Sequence, residues 1–159
     1  MSMSEAASNR EIVMRYLELM RAGAPEIEAL FADEVCWVTP QSSPVGRRHE
    51  GKQAVLRLMA GGIALYDRTK PMTVEVEALA AEGDRVFVEL TIEATTRSGQ
   101  PYCNHYVFVF RLHDEKIVEV HEHVDTLYAQ RMLFDPLGGV LPEGLAPGPR
   151  RAAEIGSVG

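Results

Sequence analysis

Glu122 interrupts a row of valines. Counting by twos along Lys116–Val124 places Val118, Val120, Glu122 and Val124 on one strand face, and Ile117, Glu119, His121, His123 and Asp125 on the other. A carboxyl group among apolar side chains loses hydration. That disfavours its charged form and lifts its pKa, so it can give and take protons near neutral pH. In the preceding strand-like run, Asn104, Tyr106, Phe108 and Phe110 share a face. Tyr and Asn can hold a ligand oxygen while the aromatic rings enclose an apolar body. Tyr16 and Trp37 complete the expected wall, with Val120 and Val124 beside Glu122.

Two further sets of side chains compete for a role. Phe87, Glu89, Thr91 and Glu93 alternate with Val88, Leu90 and Ile92. Ordinary alternation makes the polar row the wet face; turned inward, its carboxylates would raise one another's pKa values. His121, His123 and Asp125 project the same way from a strand and could hold a metal, with His105 on the adjoining strand. No HExxH motif and no Cys cluster accompanies them, so surface histidines are expected and no metal is assigned. A register slip of one residue would exchange the two faces.

The elements that must position these groups follow from periodicity. Ser8-Asn9-Arg10-Glu11 reads as a capping box. Ile12, Val13, Tyr16, Leu17 and Met20 then recur at helical spacing up to Gly23. Pro25 opens a short second helix over 25–31. Residues 35–39 read as a strand, 41–51 as a loop, and 52–66 as a helix weakened by Gly61-Gly62. From Met72 the period becomes two. Strands are expected over 73–79, Arg85–Thr95, 102–112 and Lys116–Val124, with turns at Ser98-Gly99 and His113-Asp114-Glu115. Residues 125–134 begin as a short helix. Helices first and a meander later make an α+β domain over 8–134. A Pro/Gly-rich tail, 135–159, follows; part of it is expected to pack through Leu137, Val140, Leu141 and Leu145, and its last ten residues to be disordered.

Composition narrows the function. The 159 residues suit one domain, and 46% apolar with 25% charged residues is an ordinary globular balance. A net charge of −7, with Arg47-Arg48 and Arg150-Arg151 as the basic pairs, argues against nucleic acid. No apolar run approaches a membrane span, and residues 1–9 lack a hydrophobic signal core. Cys36 and Cys103, without CxxC spacing, are expected to be reduced and buried. A cytoplasmic location is therefore expected.

Several segments in order resemble a known family: Tyr16, Ala22-Gly23, Ala29-Leu30-Phe31-Ala32-Asp33-Glu34, Trp37-Val38-Thr39-Pro40, Gly99-Gln100-Pro101-Tyr102, Tyr106 to Leu112, Lys116-Ile117-Val118-Glu119 and His123-Val124-Asp125. Over about residues 8–134 the chain resembles the SnoaL-like branch of the NTF2-like superfamily, which includes ketosteroid isomerases, limonene-epoxide hydrolase and polyketide cyclases. The resemblance implies a cone of helices over a curved antiparallel sheet, an apolar pocket and a homodimer formed through the outer sheet face. The apolar row Val88, Leu90, Ile92 would need such a cover. Tyr16 matches the oxyanion tyrosine of the isomerases, but their two Asp residues match Thr39 and Phe108. The Asp-Arg-Asp set of limonene-epoxide hydrolase matches Thr91, Glu89 and Glu122, of which Glu122 alone keeps a carboxylate in its place. Neither known set is reproduced.

These readings lead to a cofactor-independent enzyme for acid/base chemistry (isomerase, cyclase, lyase or hydrolase) on a small hydrophobic ring compound. Glu122 would be the acid/base. Tyr106, Asn104 and Tyr16 would hold an oxygen, and Glu89 would assist. Trp37, Thr39, Thr91, Glu93, Phe108, Val120 and Val124 would line the site. A non-catalytic ligand-binding or dimerisation module is the alternative, and a metal enzyme on the His121, His123, Asp125 face a third.

Overall fold

Alternation of apolar and polar residues builds most of a six-stranded sheet. The computed structural model describes residues 3–145, with side chains from Glu5 onward. Helix α1 spans Met3–Ala22, and a 3-10 turn, Pro25–Leu30, leads into β1 (Phe31–Val38). The short β2 (Arg48–Glu50) precedes α2 (Lys52–Ile63). Then come β3 (Thr73–Glu82), β4 (Arg85–Thr95), β5 (Pro101–His113) and β6 (Lys116–Val124). A short α3 (Thr126–Ala129) runs into a π turn, Gln130–Phe134. The architecture is the expected α+β one.

Strand order is β2-β1-β6-β5-β4-β3. The last three strands form the expected antiparallel meander and β3 extends it to four, but β1 lies parallel to β6, so the sheet is mixed. Bulges interrupt β1/β6, β3/β4 and β5/β6, and such insertions bend a sheet. At the β5–β6 turn, Asp114 and Glu115 adopt φ of 47° and 59°, the paired left-handed geometry of a tight hairpin.

Helix α1 lies over β3 and β4. Arg10 Nη1 donates to the Leu79 carbonyl at 2.8 Å and Arg21 Nη2 to that of Val74 at 2.8 Å. The capping box is not used. The helix starts before it, and buried Asn9 instead donates to the Gly83 carbonyl at 3.3 Å. Helix α2 packs on β1 and stops at Ile63, short of the expected end. The core between helices and sheet is built on Val13, Phe31, Val88, Leu90, Phe110 and Val120, each essentially without solvent contact. Tyr16 packs edge-on against Phe110, ring centroids 5.0 Å apart.

Three further expectations are corrected. Val88 and Leu90 lie in the core and Ile92 packs against it, so this row is no outer surface awaiting a partner. Cys36 is buried, whereas Cys103 is exposed. Beyond 134, Leu145 is buried and Leu137 and Leu141 are partly buried, but Val140 is 76% exposed. The expected disorder of the last ten residues falls outside the described residues. No described helix is long and apolar enough to cross a membrane.

Candidate active site

The concave sheet face and the two long helices enclose a cavity of about 630 Å³. Register decides which side chains enter it. Phe108 pairs with Glu122, Tyr106 with Val124 and Phe110 with Val120, so these six share a face. Across the parallel junction Trp37 pairs with Val120, which brings its indole beside Glu122. Trp37 Nε1 donates to Glu122 Oε2 at 3.1 Å.

Glu122 borders the cavity yet is densely surrounded by protein. Burial pushes its carboxyl above the ordinary carboxylate range, and the Trp37 hydrogen bond pulls the other way without cancelling it. Three phenols line the same cavity: Tyr16, Tyr66 and Tyr106. Burial raises all three. The Glu122 carboxylate adds to the effect, and for Tyr66 and Tyr106 neighbouring phenols contribute as well. They are neutral hydroxyls, able to donate to a ligand oxygen.

Behind Tyr106 runs a polar chain. Its hydroxyl lies 2.7 Å from that of Tyr102, and Asn104 Nδ2 donates to Tyr102 at 3.0 Å. Trp37, Thr39, Phe108 and Val124 line the cavity. The Thr39 hydroxyl is already committed to the carbonyls of Gly46 and Arg47. Val120 is fully buried core beneath the site, and Asn104 is buried behind Tyr102 rather than at the cavity surface.

Glu89, Thr91 and Glu93 are not brought to the cavity. Ile92 faces Asn104 and Leu90 faces Tyr106 across the β4/β5 ladder, so the apolar row points inward and the polar row outward. Plain strand alternation holds here, and the inward placement implied by the resemblance does not. Outside, Glu89 Oε1 lies 2.9 Å from His105 Nε2, Glu77 Oε2 lies 3.4 Å from it, and Thr91 donates to Glu77 at 2.5 Å. Ligand atoms of Glu77, Glu89 and His105 lie within 4.8 Å of one another, the arrangement of an ion-pair cluster whose donor types a divalent cation would also accept.

The His121, His123, Asp125 set does not assemble. His121 bonds Glu119 at 2.7 Å, and Asp125 leaves the strand to cap α3, accepting from the Tyr128 amide at 3.0 Å.

Sequence reasoning missed Tyr66 and Tyr102. Tyr102 has the same parity as Asn104 and Tyr106, so alternation already placed it on their face. Tyr66 sits past the end of α2, where an isolated bridge to Thr96 fixes it, and carries no periodic signal. Leu133, Phe134 and Leu145 also line the cavity, closing it with the segment after β6.

The fold that encloses this cavity has counterparts among known proteins. The SnoaL-like domain model matches residues 13–120, and the chain belongs to that family. Among solved structures, an NTF2-like protein of unknown function from Burkholderia pseudomallei K96243 superposes with a TM-score of 0.69 at 22% identity, covering 80% of this chain and 98% of its own. TerC, co-crystallized with polyporic acid, gives a TM-score of 0.70 at 21% identity, with 79% and 98% covered. Bal32a, from a soil-derived mobile gene cassette, gives 0.70 at 23%, with 81% and 98% covered. These likenesses concern the fold. No curated protein matches the sequence.

Proposed function

We propose that the protein is a cofactor-independent enzyme performing acid/base chemistry on a small hydrophobic ring compound. The observation that carries this reading is Glu122, a carboxyl with a raised pKa beside a largely apolar cavity and hydrogen-bonded to Trp37. Glu122 removes or returns a proton on the substrate. Tyr106 and Tyr16 donate to the oxygen that gains charge in the transition state. The co-crystallization of similarly folded TerC with polyporic acid agrees with a small organic ligand for this fold.

The test begins with a thermal-shift screen of ring ketones, terpenoids, polyketides and aromatic compounds. A ligand at ~100 times its dissociation constant stabilises by about 2.7 kcal/mol. Each hit is then incubated and assayed for conversion by mass spectrometry. Glu122→Gln is expected to lower turnover by at least ~100-fold. Unchanged turnover removes Glu122 from the mechanism. Hits that bind but are never converted favour a ligand-binding module of the same fold.

A further inference from the structure

The chain of hydroxyls behind the cavity has one fixed end. Asn104 Nδ2 lies 3.2 Å from the carbonyl oxygen of Asp125, and its Oδ1 accepts from the His105 amide at 2.9 Å. A carbonyl can only accept and an amide N–H can only donate, so these two backbone partners fix which end of the Asn104 side chain is the NH₂. That NH₂ therefore donates to Tyr102, whose oxygen is the acceptor at 3.0 Å. Tyr102 still has its own hydrogen to give, and the Tyr106 oxygen lies 2.7 Å away, with the Tyr66 hydroxyl as a second neighbour. Where Tyr102 gives that hydrogen to Tyr106, the hydrogen of Tyr106 itself is freed for the cavity it lines. Tyr66 also lines the cavity and adjoins both hydroxyls. If it takes the Tyr106 hydrogen in the empty protein, its own hydrogen becomes the one presented there.

We infer that Asn104 and Tyr102 are positioning residues that make Tyr106 a one-way hydrogen-bond donor, so that the cavity selects ring compounds presenting an acceptor oxygen, a carbonyl or enolate, at that end. Each bond in such a chain polarises the next, so the terminal hydroxyl donates more strongly than an isolated phenol. Neither Asn104 nor Tyr102 needs to touch the ligand. The inference rests on reading the cavity as a ligand site, but it concerns binding alone and stands or falls whether or not turnover follows.

The test compares a ring ketone with its parent hydrocarbon, 1-tetralone and tetralin, on the full chain. Affinity is measured by calorimetry, and the ketone C=O stretch by isotope-edited infrared spectroscopy. Wild type is expected to bind tetralone about tenfold more tightly than tetralin, the factor one buried hydrogen bond supplies, with the carbonyl band moved to lower frequency. Tyr106→Phe should abolish both effects. Tyr102→Phe should leave tetralin binding unchanged and reduce the band shift, which a purely structural role for Tyr102 would not touch. Asn104→Asp should reverse the chain, because a carboxylate accepts from Tyr102 and draws the Tyr106 hydrogen backward; the band shift should vanish. Should that variant fail to fold, Tyr102→Phe still decides. Equal affinity for ketone and hydrocarbon, no binding of either at millimolar concentration, or an unchanged band shift in Tyr102→Phe or in Tyr106→Phe would overturn the inference. A band shift present in wild type and lost in the Tyr102 and Tyr106 variants, with no converted product from wild type, would leave it intact and count against the catalytic proposal alone.

Discussion

Trp37 and Glu122 meet 85 residues apart in sequence, indole nitrogen to carboxylate oxygen at 3.1 Å. The parallel pairing of β1 with β6 makes the contact possible, because it sets Trp37 opposite Val120, two residues before Glu122 on the same face. Two effects then act on one carboxyl group. Burial disfavours its charge and the indole N–H favours it, and burial is the larger.

That balance predicts how stability responds to pH. The folded-state pKa of Glu122 lies above the ordinary value of 4.5. Between the two values the folded protein holds this proton more tightly than the unfolded chain, so stability falls as pH rises through that window. The cost is absent below the unfolded value and complete above the folded one. Glu122→Gln cannot ionise, and its amide oxygen still accepts from Trp37. The variant is expected to melt with wild type at pH 4 and above it at pH 8, while losing turnover. A melting temperature below wild type at pH 8 contradicts the assignment.

Trp37→Phe tests the opposing effect. Phenylalanine keeps an aromatic ring against Phe108, now 5.9 Å away between centroids, but has no N–H to give. The charged form of Glu122 loses its donor, so its pKa is expected to rise further. Carboxyl carbon chemical shifts of labelled Glu122, followed against pH, read this directly. A titration midpoint at or below that of wild type would mean the hydrogen bond contributes nothing.

The register of β4 can be checked on its outer face. Glu89 bonds His105 outside the sheet, half exposed, where such pairs contribute about 0–1 kcal/mol. Glu89→Gln is expected to leave ligand affinity and turnover within about twofold of wild type, since small surface effects are the rule away from a site. A loss comparable to that of Glu122→Gln would place Glu89 in the chemistry after all.

What was legible in the sequence was whatever repeats. Period-two alternation placed Glu122 among valines and set Tyr106, Phe108 and Phe110 beside it, and the ladder bears this out from Val120 to Val124; below the β5/β6 bulge Ile117, expected on the outer face, is buried in the core instead. The same alternation held for β4, where the family resemblance pointed the other way. A three-residue strand such as Arg48–Glu50 is too short to show a period, so β2 read as loop. The parallel β1–β6 pairing joins distant segments with no turn to announce it. Ser8 looked like a cap because its spacing to Glu11 is right, yet Glu5-Ala6-Ala7 are good helix formers and carry α1 past it. Tyr66 belongs to the site through one bridge to Thr96, a tertiary fact with no local signature.

Gly61 and Gly62 look alike in sequence as weaknesses in α2, and the structure gives them opposite roles. A Cβ on Gly61 would lie 2.7 Å from Leu145 Cγ and 2.9 Å from the Glu143 carbonyl, whereas a Cβ on Gly62 meets nothing within 4 Å. Leu145 is buried and lines the cavity, so Gly61 is the seat on which the segment after β6 closes the site. Gly61→Ala is expected to destabilise by about 1–3 kcal/mol, as overpacking does, and to weaken ligand binding as Leu145 is pushed out. Gly62→Ala is expected to stabilise by about 0.5–1 kcal/mol, the ordinary gain of replacing a helical glycine. Urea denaturation of both variants separates the two cases. Equal shifts of the same sign would mean that the C-terminal segment does not rest on α2 in solution.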